Sequence, residues 1–331
     1  MTDRFGIRAD GHPVTRITLC NGALTARILT LGAIVQDLRL DGVPYPLVLG
    51  SDSLMPYLGA MQYCGAMVGR CANRVAQGQF TLDGQTYQLS RNAQGHCLHG
   101  GAQGMSAQIW TITAQRTDQV TLHLSLPDGH MGFPGRLDVQ LCIALIDQAL
   151  EFDIRAKCDR ATLCNLSHHG FFILDDSGSI AGHSLQVAAP NYLPVDPTQV
   201  PTGEIATVAG TAFDYRTPRD LKGIALDHNF CLSAARVAPR AVARLCSRRS
   251  CLVMEMQTTE PGLQVYTANH LPKPGICGLE GRQYARHAGI ALEAQVWPDA
   301  ANHSGFPSAV LRPGALYHQQ TRYSFHRDGW A

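Results

Sequence analysis

The chain has 331 residues, with 27 Lys plus Arg against 26 Asp plus Glu, a formal net charge of +1. That balance, with no basic run able to track a phosphate backbone, argues against a nucleic-acid partner. Charged residues make up only 16% while Gly (32) and Pro (18) are frequent, a composition suited to many strands joined by turns. Eleven cysteines without a C-x-x-C pair give little support to a disulfide framework or a zinc ribbon. The opening MTDRFGIRADGHPV has no apolar core of a signal peptide, and no stretch approaches the roughly 18 apolar residues of a membrane span. The expectation is a reduced, cytoplasmic chain without membrane contact.

Along the chain, helical periodicity is nearly absent. The best candidate, SLMPYLG at 53–59, is short and carries Pro56. Period-two alternation recurs instead. QFTLDGQTYQL reads as a hairpin turning at Asp83-Gly84, residues that tolerate positive φ. In VTLHLSL, Val120, Leu122, Leu124 and Leu126 share a face. LDVQLCIALI and ALEFDIRAK continue with Leu137, Val139, Leu141, Ile143 and Leu145, then Leu150, Phe152, Ile154 and Ala156, meeting in a turn at Asp147-Gln148. No linker or repeat divides the chain. The prediction is one all-β unit over 1–331, a large antiparallel β-sandwich with few short helices, whose loops carry function.

Six polar clusters interrupt this pattern: VGRCANRVAQGQF (68–80), HCLHGG (96–101), NLSHHGFF (165–172), LDHNF (226–230), QTTEPGLQVYTAN (257–269) and ALEAQVWPDA (291–300). Each residue has a bland use. Arg74 can be an ion-pairing residue, and His99 a buried structural histidine. Asp227 can close a turn, Asn73 can sit in one, and Gln264 can make a cross-strand hydrogen bond. His96 and His99 have a spacing that a metal could use, but no carboxylate pattern accompanies them. Trp297 could stack on a sugar, although core packing is commoner. Glu293 stands out, because a carboxylate within an apolar strand is costly to ionise and its pKa tends to rise. In NLSHHGFF, alternation puts Asn165, Ser167, His169 and Phe171 on one face and Leu166, His168, Gly170 and Phe172 on the other. His169 is therefore expected in a polar site and His168 over packed apolar surface.

Taken together these clusters resemble the aldose 1-epimerase (galactose mutarotase) family. GRCANRVAQGQF is similar to that family's G-R-x-A-N-R-[IV]-A-x-G-x-F, and LHGG and DHNF match its own. TTEPGLQVYTAN and LEAQVWPDA are similar to T-T-E-P-G-x-Q-x-Y-T-x-N and L-E-x-Q-x-x-P-D-A. The resemblance implies a sugar cleft and interconversion of the α and β anomers of aldohexoses, with no cofactor and no metal. It implies Glu293 as the base at the anomeric hydroxyl and His169 as the acid at the ring oxygen. Arg74, His99, Asp227, Asn73 and Gln264 would hold sugar hydroxyls. Where the family reads N-L-T-N-H-S-Y-F-N-L this chain has NLSHHGFFIL, placing His168 and Ile173 at two family asparagines. A hexose-6-phosphate epimerase and an inactive sugar-binding protein of the same fold are the alternatives. The expected partner is a small sugar, with the chain a monomer or a homodimer.

Overall fold

A computed structural model describes residues 1–271 and 275–327. The long alternating segments pair into a nine-stranded antiparallel sheet. Its order is Thr111–Gln115, Gln119–Leu126, Leu137–Ile146, Ala149–Cys158, Tyr317–Arg327, Leu252–Thr258, Arg240–Ser247, His183–Val187 and Arg219–Asp220. The alternation is physical. Leu137, Val139, Leu141 and Ile143 are fully buried, and Leu122, Phe152 and Ile154 join them on the same core. Both anticipated hairpins form with two-residue turns. Leu82 pairs with Gln85 around Asp83-Gly84, and Ile146 with Ala149 around Asp147-Gln148. Asp83 and Asp147 take the positive φ such turns require, 51° and 53°. Among the described residues the helices are 3₁₀ turns of three or four residues, one of them Met55–Leu58. None is long and apolar enough to cross a membrane.

A second sheet of six strands runs Phe171–Phe172, Ile290–Gln295, Gly262–Tyr266, Asp227–Cys231, Asn191–Tyr192 and Ala206–Thr207. It stacks on the first, and side-chain hydrogen bonds cross the interface. The Tyr323 hydroxyl donates to the Leu292 carbonyl at 3.0 Å and the Gln319 amide to the Ala294 carbonyl at 3.1 Å. A four-stranded sheet, from Thr2–Ile7 to Ile34–Leu40, packs Ile17, Leu19 and Ala26 into the same core. Every residue of Ile290–Gln295 is buried, because its other face is covered by loops. On that covered face, opposite Leu292, stands Glu293.

Candidate active site

The site is assembled where loops from the first hundred residues fold over the six-stranded sheet. The short strands Arg74–Val75 and Cys97–Leu98 pair, with Arg74 opposite Leu98, which brings Asn73 beside His99. Asn73 holds the loop from three atoms. Its carbonyl accepts the His99 N–H at 2.9 Å, its side-chain oxygen accepts the Arg74 N–H at 2.7 Å, and its own N–H donates to His99 Nδ1 at 3.2 Å. Asn73 and His99 both take left-handed φ, 59° and 51°. Gly100 follows with φ 85°, and a Cβ there would run into the Gly69 carbonyl, so only glycine lets the loop turn this tightly.

The 165–172 segment is not one strand. Ser167 and His168 pair with Val68 and Met67, whereas Phe171 and Phe172 pair with Ala291 and Ile290. The chain changes partners at His169-Gly170. The His169 backbone is held in the gap by Gly65 and Ala66: its N–H donates to Ala66 at 2.8 Å and its carbonyl accepts from Gly65 at 2.9 Å. Alternation across the two histidines still holds. The His168 ring stacks on Phe152 of the large sheet, with centroids 4.3 Å apart, while His169 lines the cavity.

That cavity has a volume of about 400 Å³. Asn73, Arg74, His99, His169, Asp227 and Glu293 line it together with Leu49, Cys64, Leu271, Ile276 and Tyr284, which belong to one apolar cluster. His169 Nε2 lies 3.5 Å from Glu293 Oε1, and both side chains are almost fully buried. The second oxygen, Oε2, has no hydrogen-bond partner among the described residues. Arg74 forms no ion pair within them. Gln264 sits opposite Glu293 in the sheet register, 3% exposed and outside the cavity lining, and donates to Asp227 Oδ1 at 2.7 Å. It therefore anchors Asp227. Further rings absent from the sequence-based selection also line the cavity, among them Tyr63, Tyr266 and Phe171. Tyr63 lies against both imidazoles, 4.7 Å from His99 and 6.2 Å from His169 between centroids. Phe171 was legible as sharing the face of His169; nothing local marks Tyr63.

Other candidates serve elsewhere. His96 is tied to Gln77 N–H and Thr198 Oγ1 and shares no site with His99. Trp297 donates to the Pro261 carbonyl and packs on Phe306. Arg70 is buried, donating to carbonyls of Leu126, Pro127, Pro134 and Gly135. Ile173 joins an apolar cluster with Leu49 and Phe171.

Electrostatics of the site follow from burial. Desolvation first, and the Asp227 carboxylate second, push the Glu293 pKa well up against the pull of Arg74. Burial pushes His169 down to about 4. Burial, then the charges of His169 and Arg74, hold His99 well below the usual range, so it is neutral. Since His99 Nδ1 accepts from Asn73, the neutral ring carries its proton on Nε2 as a donor. The sequence led to the expectation of an ionised Glu293 facing a protonated His169; in the folded chain burial opposes both charges. The ligand atoms of His99, His169 and Glu293 all lie within 4.8 Å of one another, a grouping that can suit a transition metal. The donor set does not fit one. A metal-bound histidine donates its other N–H to an acceptor, whereas His99 Nδ1 faces a donor.

A buried carboxylate–imidazole pair facing one another in a cavity on a β-sandwich fits a class of sugar isomerases. The family model for aldose 1-epimerase matches residues 15–324. The chain is 38% identical to galactose mutarotase of Mus musculus over 97% of both chains, and 34% identical to aldose 1-epimerase of Escherichia coli K12 over 96% of both. Its structure superposes on an aldose epimerase homologue from C. elegans with a TM-score of 0.89 at 29% identity, covering 95% of this chain and 99% of that one. Galactose 1-epimerase from Lactobacillus acidophilus gives 0.86 at 28%, covering 99% of each. The chain belongs to the aldose 1-epimerase family, a family of isomerases.

Proposed function

We propose that this family member interconverts the α and β anomers of neutral aldohexoses such as galactose and glucose, with Glu293 and His169 exchanging the protons. The observation that carries this reading is the opposed, buried pair at 3.5 Å in a cavity lined by Arg74, His99 and Asp227, polar groups of the kind that hold hydroxyls. In the reacting form Glu293 is a carboxylate and His169 an imidazolium. Glu293 takes the O1 proton, the C1–O5 bond breaks, C1 becomes an aldehyde, and O5 takes the proton from His169. The pair is then neutral Glu293 and neutral His169, the state that burial favours. Desolvation thus assists ring opening. Rotation about C1–C2 and the reverse transfers close the ring on the other face. The pair holds one proton throughout and ends as it began.

His99 Nε2–H and Arg74 supply donors for the hydroxyls, Asp227 an acceptor, and Asn73 and Gln264 set the positions of His99 and Asp227. Arg74 is the one Arg or Lys lining the cavity among the described residues, which favours a neutral sugar over a 6-phosphate. No disulfide pairs the cysteines among the described residues, consistent with a cytoplasmic location. The test is polarimetry of freshly dissolved α-galactose and α-glucose with the purified protein in metal-free buffer. Both are expected to equilibrate faster than the buffer control. If no aldose does, catalysis is refuted in favour of sugar binding alone.

A further inference from the structure

We propose that the His168 ring and the absence of a side chain at Gly170 are matched in packing, so that a side chain at 170 would displace His169 between them. This rests on His169 acting as the acid of the reaction above. His168 is 4% exposed and belongs to the sandwich interior: its ring stacks on Phe152 at 4.3 Å and 25°, and meets Tyr323 and Phe172 edge-on at 6.0 and 6.4 Å. From there the imidazole folds back over residue 170. A Cβ built on Gly170 would collide with His168 Cε1 and lie 3.1 Å from both ring nitrogens. Gly170 has no left-handed φ that would by itself call for glycine. Space alone demands glycine here, and the occupant of that space is His168.

The backbone of His169 lies between the two. On one side His168 is pinned by Phe152; on the other Phe171 and Phe172 are pinned by the pairing to Ala291 and Ile290. A side chain at 170 must therefore displace either the aromatic stack or the peptide units that carry His169. The stack is embedded in the packed interior between two sheets, so the backbone at the change of strand partners is the part that yields. A shift of about 1 Å in a catalytic group can cost on the order of 10² in rate.

The test is a double-mutant cycle of Gly170→Ala and His168→Ala, read as kcat and KM by polarimetry, with circular dichroism to follow folding. Gly170→Ala is expected to lower kcat roughly 10- to 100-fold with a smaller change in KM. His168→Ala alone is expected to stay within about 5-fold of wild-type kcat. The double variant should fall within about 3-fold of His168→Ala, because the emptied space accepts the new methyl group. Wild-type kcat in Gly170→Ala overturns the proposal, and so does a double variant no faster than Gly170→Ala. If Gly170→Ala does not fold, a folded and active double variant supports the pair and an unfolded one overturns it. Wild-type turnover in the same assay tests the acid–base reading separately.

Discussion

Replacing Glu293 by Gln keeps the shape of the side chain and removes its charge, so it separates what the carboxylate does for catalysis from what it does to stability. Glu293 is 2% exposed and its Oε2 has no hydrogen-bond partner among the described residues. A carboxylate whose folded-state pKa lies above its unfolded value costs stability once the pH passes the unfolded value, and the cost is complete above the folded one. Burial raises Glu293 in that sense. With His169 neutral, since burial lowers it to about 4, the amide leaves no uncompensated cation behind. An unpartnered buried polar group costs about 1–3 kcal/mol, so Glu293→Gln should raise Tm at pH 7.5 by roughly 2–6 °C. The gain should vanish near pH 4, where the carboxyl is protonated in both folded and unfolded chains. Meanwhile kcat should fall by about 10² to 10⁴, the usual worth of a positioned base. Differential scanning fluorimetry at the two pH values, with polarimetry for kcat, measures both effects. Had Glu293 and His169 formed a charged pair in the free enzyme, removing one partner would cost about 3–5 kcal/mol and Tm would drop. A lowered Tm at pH 7.5, or a variant with wild-type kcat, refutes the reasoning.

The active pair holds one proton, so kcat/KM should be bell-shaped, falling on the acid side as a second proton enters near the His169 value of about 4 and on the alkaline side as the last one leaves. A rate constant across pH 3.5 to 9.5 would contradict this. Gln264→Leu removes the 2.7 Å donor to Asp227, a charge-assisted bond of about 1.5–3 kcal/mol, and should raise KM for galactose by roughly 10- to 100-fold in initial-rate polarimetry, with kcat changing less. His169→Asn should lower kcat by roughly 10² or more. His168→Asn should keep most of kcat yet lower stability by about 1–3 kcal/mol through the lost stack on Phe152, seen as a reduced urea midpoint. The reverse pattern would assign the cavity to His168.

Much of the scaffold was legible because strand alternation and turn chemistry are local. Leu137 to Leu145 and Leu150 to Ala156 reveal their buried face from spacing alone, and Asp83-Gly84 and Asp147-Gln148 reveal their turns from the φ they tolerate. Glu293 was legible for the same reason, as a carboxylate on an otherwise apolar strand. Tyr63 carries no such mark. It reaches both imidazoles only because its loop folds over a sheet built from residues more than 100 positions later.

By itself, then, the sequence determined the strand-rich architecture, the opposite facing of His168 and His169, and the chemical types available to a site, since each depends on neighbours a few residues apart. Tertiary structure alone decided which polar residues share the cavity. It ties Gln264 to Asp227, buries Arg70 among carbonyls, turns Trp297 toward Phe306 and breaks the 165–172 segment where it passes from Met67–Val68 to Ile290–Gln295. It also decided the protonation of the pair. The energy of an ionisable group sums over everything that displaces water around it, and for Glu293 and His169 those groups come from loops and strands spread across the chain.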